Sequence, residues 1–367
     1  MEDDLSATAV SDAVWSAQDT TPGAIESALS KLVADRHREN DSYVAARALN
    51  LVCIVDEQFS GEIANRLRHV GRYHASRTVV CSVAPGRRTI DARATVASEA
   101  HPQPGEFSIM RETVVVSVGE RHLPHLAQIV DPLVVTDLAT VVWSPHGHRE
   151  AVDSLVAPAG GARPVAQCIL LDSAGEPDQR GALDRVCTLA AQADVVDLGW
   201  LRTTPWRERV AAHYDPADRR AELRTISKVS VRHGSDSLVS GMLLIGWLCD
   251  RLGWRSEQLT RHGDLLRGRA RSRRGEVQLR LEPVEGMRAP GLSGLEIRSD
   301  RGTVLNLERG EGGLTARRTE RSGSERSWTV LGASRGEPGI LGEGIRHTLL
   351  PDATYAPALA AARSMLA

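Results

Sequence analysis

Two short, densely apolar runs, Ala48–Val55 and Thr78–Val83, constrain this chain more than anything else in it. Both are rich in β-branched residues with one Cys each, and too short for a core helix, so each reads as a buried strand. Between them Ser60 is placed as a helix N-cap with Glu62 in the first turn, and Ile63, Leu67 and Val70 recur at helical spacing. Strand, helix and strand at this spacing predict a βαβ unit with a right-handed crossover.

The flanking sequence extends that unit into a layered α/β domain. Residues 1–20 are acidic and polar and read as a flexible arm. Thr21-Pro22 then gives an N-cap and a first-turn proline, followed by a stripe of Ile25, Leu29, Leu32 and Val33. Thr89–Ala97, Thr113–Val118 and Ala139–Trp143 are expected strands, with a helix over His122–Val135. Ala157-Pro-Ala-Gly-Gly-Ala-Arg-Pro164 is the clearest linker signal. Beyond it a strand is expected over Val165–Leu171, helices over Leu183–Ala193 and Pro205–His213, a strand over Glu222–Arg232 and a buried helix over Ser237–Leu252. Short alternating runs separated by Gly, Pro and Ser follow from Glu276 to Leu331, which predicts an antiparallel meander, and an Ala-rich helix comes last. The 367 residues are therefore expected to make an α/β N-terminal domain with βαβ units at 21–156, a linker at 157–164 and an α+β C-terminal domain with an antiparallel sheet at 165–367.

Composition narrows the function classes. A net charge of −2 supplies no bulk field toward nucleic acid or a lipid surface. The longest apolar stretch, Leu238–Cys249, is fenced by Asp236 and Asp250 and falls short of the ~20 residues that span a bilayer. The N-terminus has no basic region followed by an apolar one, so no signal peptide is read there. The five cysteines are widely spaced, without a C-x-x-C, which argues against a disulfide framework or a zinc site and for a cytoplasmic location.

Several chemical signatures fail on context. Asp56-Glu57-Gln58-Phe59-Ser60 stands where a dinucleotide fold carries its glycine-rich loop, and it offers carboxylates rather than bare backbone N–H groups. Gly332-Ala-Ser334-Arg-Gly336 matches a nucleophile-elbow pattern but runs into the turn residues Glu337-Pro338-Gly339. His122-x-x-His125 and His146-x-His148 each lack a third ligand nearby in sequence. Arg267–Arg274 is a basic cluster without interleaved aromatics and reads as a solvated loop. No catalytic residue, cofactor or metal is assigned.

The segment that remains is Asp197-Leu-Gly-Trp200-Leu-Arg202-Thr-Thr204-Pro-Trp206-Arg207. Tryptophan and arginine at such density make either interface anchors or pins that fix helices to a core. This string is similar to the hallmark of the OpcA family, the glucose-6-phosphate dehydrogenase assembly proteins. His74-Ala75-Ser76-Arg77 and Thr136–Pro145 also resemble blocks of that family, in the same order, and the likeness runs over roughly residues 21–260. The resemblance implies a protein that is not itself an enzyme, binds glucose-6-phosphate dehydrogenase, favours its active oligomer and so supports NADPH production by the oxidative pentose phosphate pathway. It makes Trp200, Arg202, Trp206 and Arg207 the expected partner contacts, with Arg77 and Trp143 as second choices. The alternative is a sugar-phosphate sensor or divergent α/β enzyme, with His74, Arg77, Arg202 and Arg207 gripping the phosphate.

Overall fold

A computed structural model describes residues 10–63, 67, 75–99, 107–175, 178–310, 312–331 and 336–366. The chain forms two compact units, Met1–Leu171 with Gln192–Asp194, and Asp172–Ala191 with Val195–Ala367.

The first unit holds β1 (Val10–Ala17), α1 (Pro22–Glu39), β2 (Tyr43–Val44), β3 (Leu49–Asp56), β4 (Ser76–Val83), β5 (Asp91–Glu99), β6 (Ser108–Ile109), β7 (Arg111–Val118), α2 (Leu126–Val130), β8 (Thr140–Trp143), α3 (Arg149–Val156) and β9 (Cys168–Leu171). Its main sheet runs β1-β5-β7-β4-β3-β8-β9. The five strands from β7 to β9 are parallel, and β5 and β1 extend them antiparallel. Both expected strands of the opening βαβ unit, β3 and β4, are present, and they are buried along almost their whole length. That is why neither sequence alternates: a central parallel strand has two covered faces. In the crossover, residues 60–63 are helical and Ile63 and Leu67 are buried, while Val70 lies outside the described residues.

Polar side chains pin this sheet. The fully buried Asn50 on β3 donates through Nδ2 to the carbonyls of Val135 and Leu138 and to Thr140 Oγ1, and its Oδ1 accepts the Val135 N–H at 2.9 Å. Thr21 caps α1 through Oγ1 and the Ala24 N–H, as the sequence implied. The expected arm differs, because Val10–Ala17 is an ordered edge strand paired with β5. The helix expected over His122–Val135 is broken into a 3-10 turn at Glu120–His125, the short α2 and a second 3-10 turn at Asp131–Leu133, because Pro124 and Pro132 remove backbone donors. The expected linker 157–164 is instead a turn inside the first unit: Gly160 and Gly161 take φ of 77° and 74°, and Val165 and Ala166 are buried just after it.

The second unit begins with α4 (Gln179–Ala190). The chain passes through β10 (Asp194–Asp197) into α5 (Leu198–Leu201), α6 (Thr204–Tyr214), α7 (Ala217–Arg220), β11 (Ile226–Gly234) and α8 (Leu238–Leu252). Then come β12 (Arg255–Ser256), β13 (Thr260–His262), β14 (Leu265–Ser272), β15 (Gly275–Val284), β16 (Leu292–Ser299), β17 (Val304–Gly310), β18 (Gly313–Thr319), β19 (Glu325–Leu331), α9 (Gly336–His347) and α10 (Tyr355–Ser364). The sheet order is β12-β14-β15-β11-β16-β17-β18-β19, with β13 on β14, and only the β11–β15 pair is parallel. Val229, Val231, Leu279, Leu281, Leu295, Ile297 and Leu305 form its buried face, and α8 packs against β11 and β15. Each such side chain contributes about 1.5–3 kcal/mol on burial.

The basic cluster expected as a loop is mostly strand β14, where Arg267, Arg269 and Arg271 are exposed and alternate with buried Leu266 and Ala270. Its arginines are partly neutralised in place, Arg269 by Glu276 at 3.1 Å and Arg271 by Glu257 at 3.2 Å. Among the described residues no helix is long and apolar enough to cross a membrane.

Candidate functional site

The Trp/Arg segment spans the end of β10, α5 and the start of α6. Asp197 closes β10 and caps α5. Its Oδ1 accepts the N–H of Gly199 at 2.9 Å and of Ser173 at 3.1 Å, and its Oδ2 accepts the hydroxyls of Ser173 at 2.6 Å and Tyr355 at 3.0 Å. The carboxyl is 1% exposed, and burial raises its pKa against the pull of those donors. A Cβ at Gly199 would sit 2.8 Å from Ser173 Oγ and 3.1 Å from Asp197 Oδ1, so a larger residue there must displace this hydrogen-bonded pair.

Trp200 follows and joins two distant parts of the chain. Its Nε1 donates to Asp352 Oδ2 at 2.8 Å, and its ring lies 5.5 Å from that of Tyr355. The Arg207 guanidinium stacks on the Trp200 ring, 3.6 Å from its centroid. Arg207 also donates to Thr203 Oγ1 at 3.0 Å and Thr204 Oγ1 at 2.9 Å, and its Nη1 lies 3.4 Å from Asp352 Oδ2. Burial lowers the Arg207 pKa to about 10, with Asp352 opposing the fall, so the side chain remains a cation at neutral pH. Burial would raise Asp352, but hydrogen bonds from Thr354 and Trp200 and the Arg207 charge hold it below the usual carboxylate range.

Arg202 grips Asp172 through both terminal nitrogens, at 2.7 and 2.6 Å. Trp206 is 1% exposed and Trp200 2%. The four expected contacts are thus brought together, but inward. Arg202 fastens the segment before α4, and Trp200 and Arg207 fasten the segment before α10. Trp200, Arg202 and Trp206 have almost no accessible area to give up to a partner and Arg207 is half-buried, so the arrangement is a clamp beneath a surface. What it holds outward is the turn before Asp352, where Leu349 and Leu350 are 47% and 69% exposed.

The second-choice residues lie in the first unit and apart from one another. Arg77 on β4, the register partner of Asn50 on β3, is buried and bonds Glu112 on β7 at 2.7 Å and the Leu133 carbonyl. Glu112, 2% exposed, also takes Arg47 at 2.5 Å. Trp143 is buried at the other end of β8, opposite Cys53. His74 and Ser334 lie outside the described residues. The arginines considered for a phosphate, Arg77, Arg202 and Arg207, are each paired with a carboxylate, of Glu112, Asp172 and Asp352 in turn.

Sequence reading did not find Asp172, Ser173, Asp352 and Tyr355. Asp352-Ala-Thr354 carries the local signal of an Asx turn, and the Thr354 N–H and hydroxyl do bond Asp352 Oδ1. Its partner Trp200 is 152 residues away, which no local pattern encodes. All five cysteines are free thiols, with Cys53, Cys81, Cys168 and Cys249 buried, and burial pushes the Cys81 thiol up to about 12.

Comparison with known proteins fits this geometry into a family. Residues 68–188 match the model described as the glucose-6-phosphate dehydrogenase subunit N-terminal domain, and residues 193–359 match its C-terminal counterpart. The chain belongs to the OpcA family. It is 23% identical over 179 residues to the OxPP cycle protein OpcA of Synechococcus elongatus, a match covering 48% of this chain and 39% of that one. It is 24% identical over 169 residues to the OpcA of Nostoc punctiforme, covering 45% and 35%. The chain therefore spans less than half the length of these curated relatives. Among solved structures, an oxidoreductase from Sinorhizobium meliloti aligns over 87% of this chain and 95% of its own, with a TM-score of 0.46 and 13% identity. The WlbA dehydrogenase from Thermus thermophilus aligns over 87% and 93%, at 0.42 and 13%. Both scores are too low to bear on chemistry.

Proposed function

We propose that this OpcA-family chain is a non-catalytic assembly factor that binds glucose-6-phosphate dehydrogenase and favours its active form. The observation that carries the reading is the match of both halves of the chain to domains described as belonging to a glucose-6-phosphate dehydrogenase subunit. An activator must bind the active conformation of its target more tightly than the inactive one, because equal affinity shifts no population.

In this reading Trp200, Arg202, Trp206 and Arg207 act on the partner from beneath. Trp200 and Arg207 fix Asp352, and with it the turn that carries exposed Leu349 and Leu350, the apolar pair we assign to the dehydrogenase contact, while Arg202 ties Asp172 and Trp206 is buried beside them in α6. Arg77 and Trp143 hold the sheet of the first unit. Two exposed leucines side by side on a turn held at its base suit a small interface core, where pre-ordering cuts the entropic cost of docking.

The test is activity of the same organism's dehydrogenase with and without the purified chain, with light scattering on the same mixtures. A co-migrating complex with raised activity is expected. Leu349→Asp with Leu350→Asp is expected to abolish both while leaving the melting temperature within a few degrees. A double variant that binds and activates in full removes the leucine pair from the interface, and a folded wild-type chain with neither complex nor effect removes the function.

A further inference from the structure

The first unit carries a second constellation that the dehydrogenase reading does not use. The chain lays down β3, then β4 and β7 to one side of it, and returns to the other side as β8 and β9. The strand order therefore reverses at the β3–β8 seam. In open parallel sheets the crevice outside the carboxyl ends of the strands at this reversal is where ligands bind.

Asp56 is the last residue of β3, and the loop Ser144-Pro145-His146-Gly147-His148 leaves the end of β8 beside it. Gly147, with φ of 75°, turns the loop, and Ser144 Oγ accepts the His148 N–H at 3.1 Å. Both histidines then meet Asp56. The Asp56 N–H donates to His146 Nδ1 at 3.0 Å, and His148 Nε2 lies 2.9 Å from Asp56 Oδ1. That His148 nitrogen is buried and lacks the alignment of a hydrogen bond. Phe59 packs on the His146 ring at 4.7 Å between centroids and limits its rotation. One donor atom from each of the three residues lies within 4.8 Å of the other two.

We propose that Asp56, His146 and His148 form a binding site for one divalent first-row transition-metal ion, zinc foremost. Two imidazoles and one carboxylate favour such ions over magnesium or calcium, which take all-oxygen sets. Metal–nitrogen bonds of about 2.0–2.1 Å place tetrahedral donors about 3.3 Å apart, so donors now within 4.8 Å draw together on binding, and His146 Nδ1, where it is the ligating nitrogen, exchanges the Asp56 N–H it accepts for the ion. An ion there would give the misaligned His148 nitrogen and the carboxylate a common partner, and three protein ligands leave a coordination position for water. The site stands where dinucleotide-binding folds carry a glycine-rich phosphate loop, and it supplies a carboxylate in that place.

Untagged protein, stripped with a chelator and dialysed, is titrated with Zn²⁺ by calorimetry and with Co²⁺ by visible absorbance. One ion per chain is expected, with an absorption band characteristic of Co²⁺ bound by nitrogen and oxygen donors. Asp56→Ala, Asp56→Asn and His148→Ala are each expected to lower affinity more than about tenfold, the loss that even an outer-shell change produces. His262→Ala, an exposed histidine in the second unit, should change nothing. Circular dichroism of the metal-free variants separates lost binding from lost folding, and Asp56→Asn preserves shape if the alanine variants unfold. No stoichiometric binding by the wild type, or equal affinity in folded Asp56→Asn and His148→Ala proteins, overturns the proposal. Neither result depends on the dehydrogenase.

Discussion

At the scale of single residues, His213 has the surroundings with the sharpest consequence. It is 4% exposed, its Nε2 accepts from Arg318 at 3.0 Å, and its ring stacks near Trp328. Burial first, and the Arg318 charge second, lower its pKa from 6.5 to about 4. The folded chain thus holds His213 neutral over a range where the unfolded chain protonates it. Its contribution is present above pH 6.5 and is lost as pH falls through about 4. Urea midpoints at pH 7.5 and 4.5 should show wild type losing about 2–3 kcal/mol more than His213→Gln between them. Equal pH dependence of the two proteins would mean that the fold does not lower the His213 pKa. The residue was unremarkable in the sequence, because its neighbour Arg318 is 105 positions away.

At the scale of elements, the contact of α8 with α10 is set by absence of a side chain. A Cβ on Gly246 would lie 2.3 Å from the Ala358 carbonyl oxygen and 3.0 Å from the Ala362 nitrogen. These are backbone atoms and cannot swing away. Elsewhere, Gly→Ala in a helix gains about 1 kcal/mol of propensity. Here Gly246→Ala is expected to lose about 1–3 kcal/mol net, read as a lower melting temperature, because α10 must shift bodily. A stabilised variant would show that the helices are free to part. Hydrophobic spacing announced α8 as a buried helix. The need for glycine at one face of it came from α10, which lies more than a hundred residues further along the chain.

For the whole molecule, the two units do not divide at the proline- and glycine-rich stretch. The chain passes between them after Leu171, Ala191 and Asp194, so the expected linker at 157–164 precedes the last strand of the first unit. A fragment of residues 1–164 lacks β9 and leaves β8, with buried Val141 and Val142, as a bare sheet edge. Such an edge pairs with other chains. The fragment is expected to aggregate in light scattering, and a soluble, cooperatively melting monomer would restore the linker as a true boundary.

The sequence by itself determined the class of each half. Its apolar runs specify β3 and β4, alternation specifies β15 to β18, and Thr21-Pro22 specifies the start of α1, because these signals are local and repeat at the period of the element. It also marked the Trp/Arg segment and the His146-x-His148 pair as unusual. What each does was decided only in three dimensions. Trp200 became a buried clamp through Asp352, and the two histidines acquired Asp56 as a third neighbour 90 positions or more away. The reason is the same in both cases: periodicity reports which face of an element is covered, while the identity of the covering group depends on which distant segments the sheet brings together.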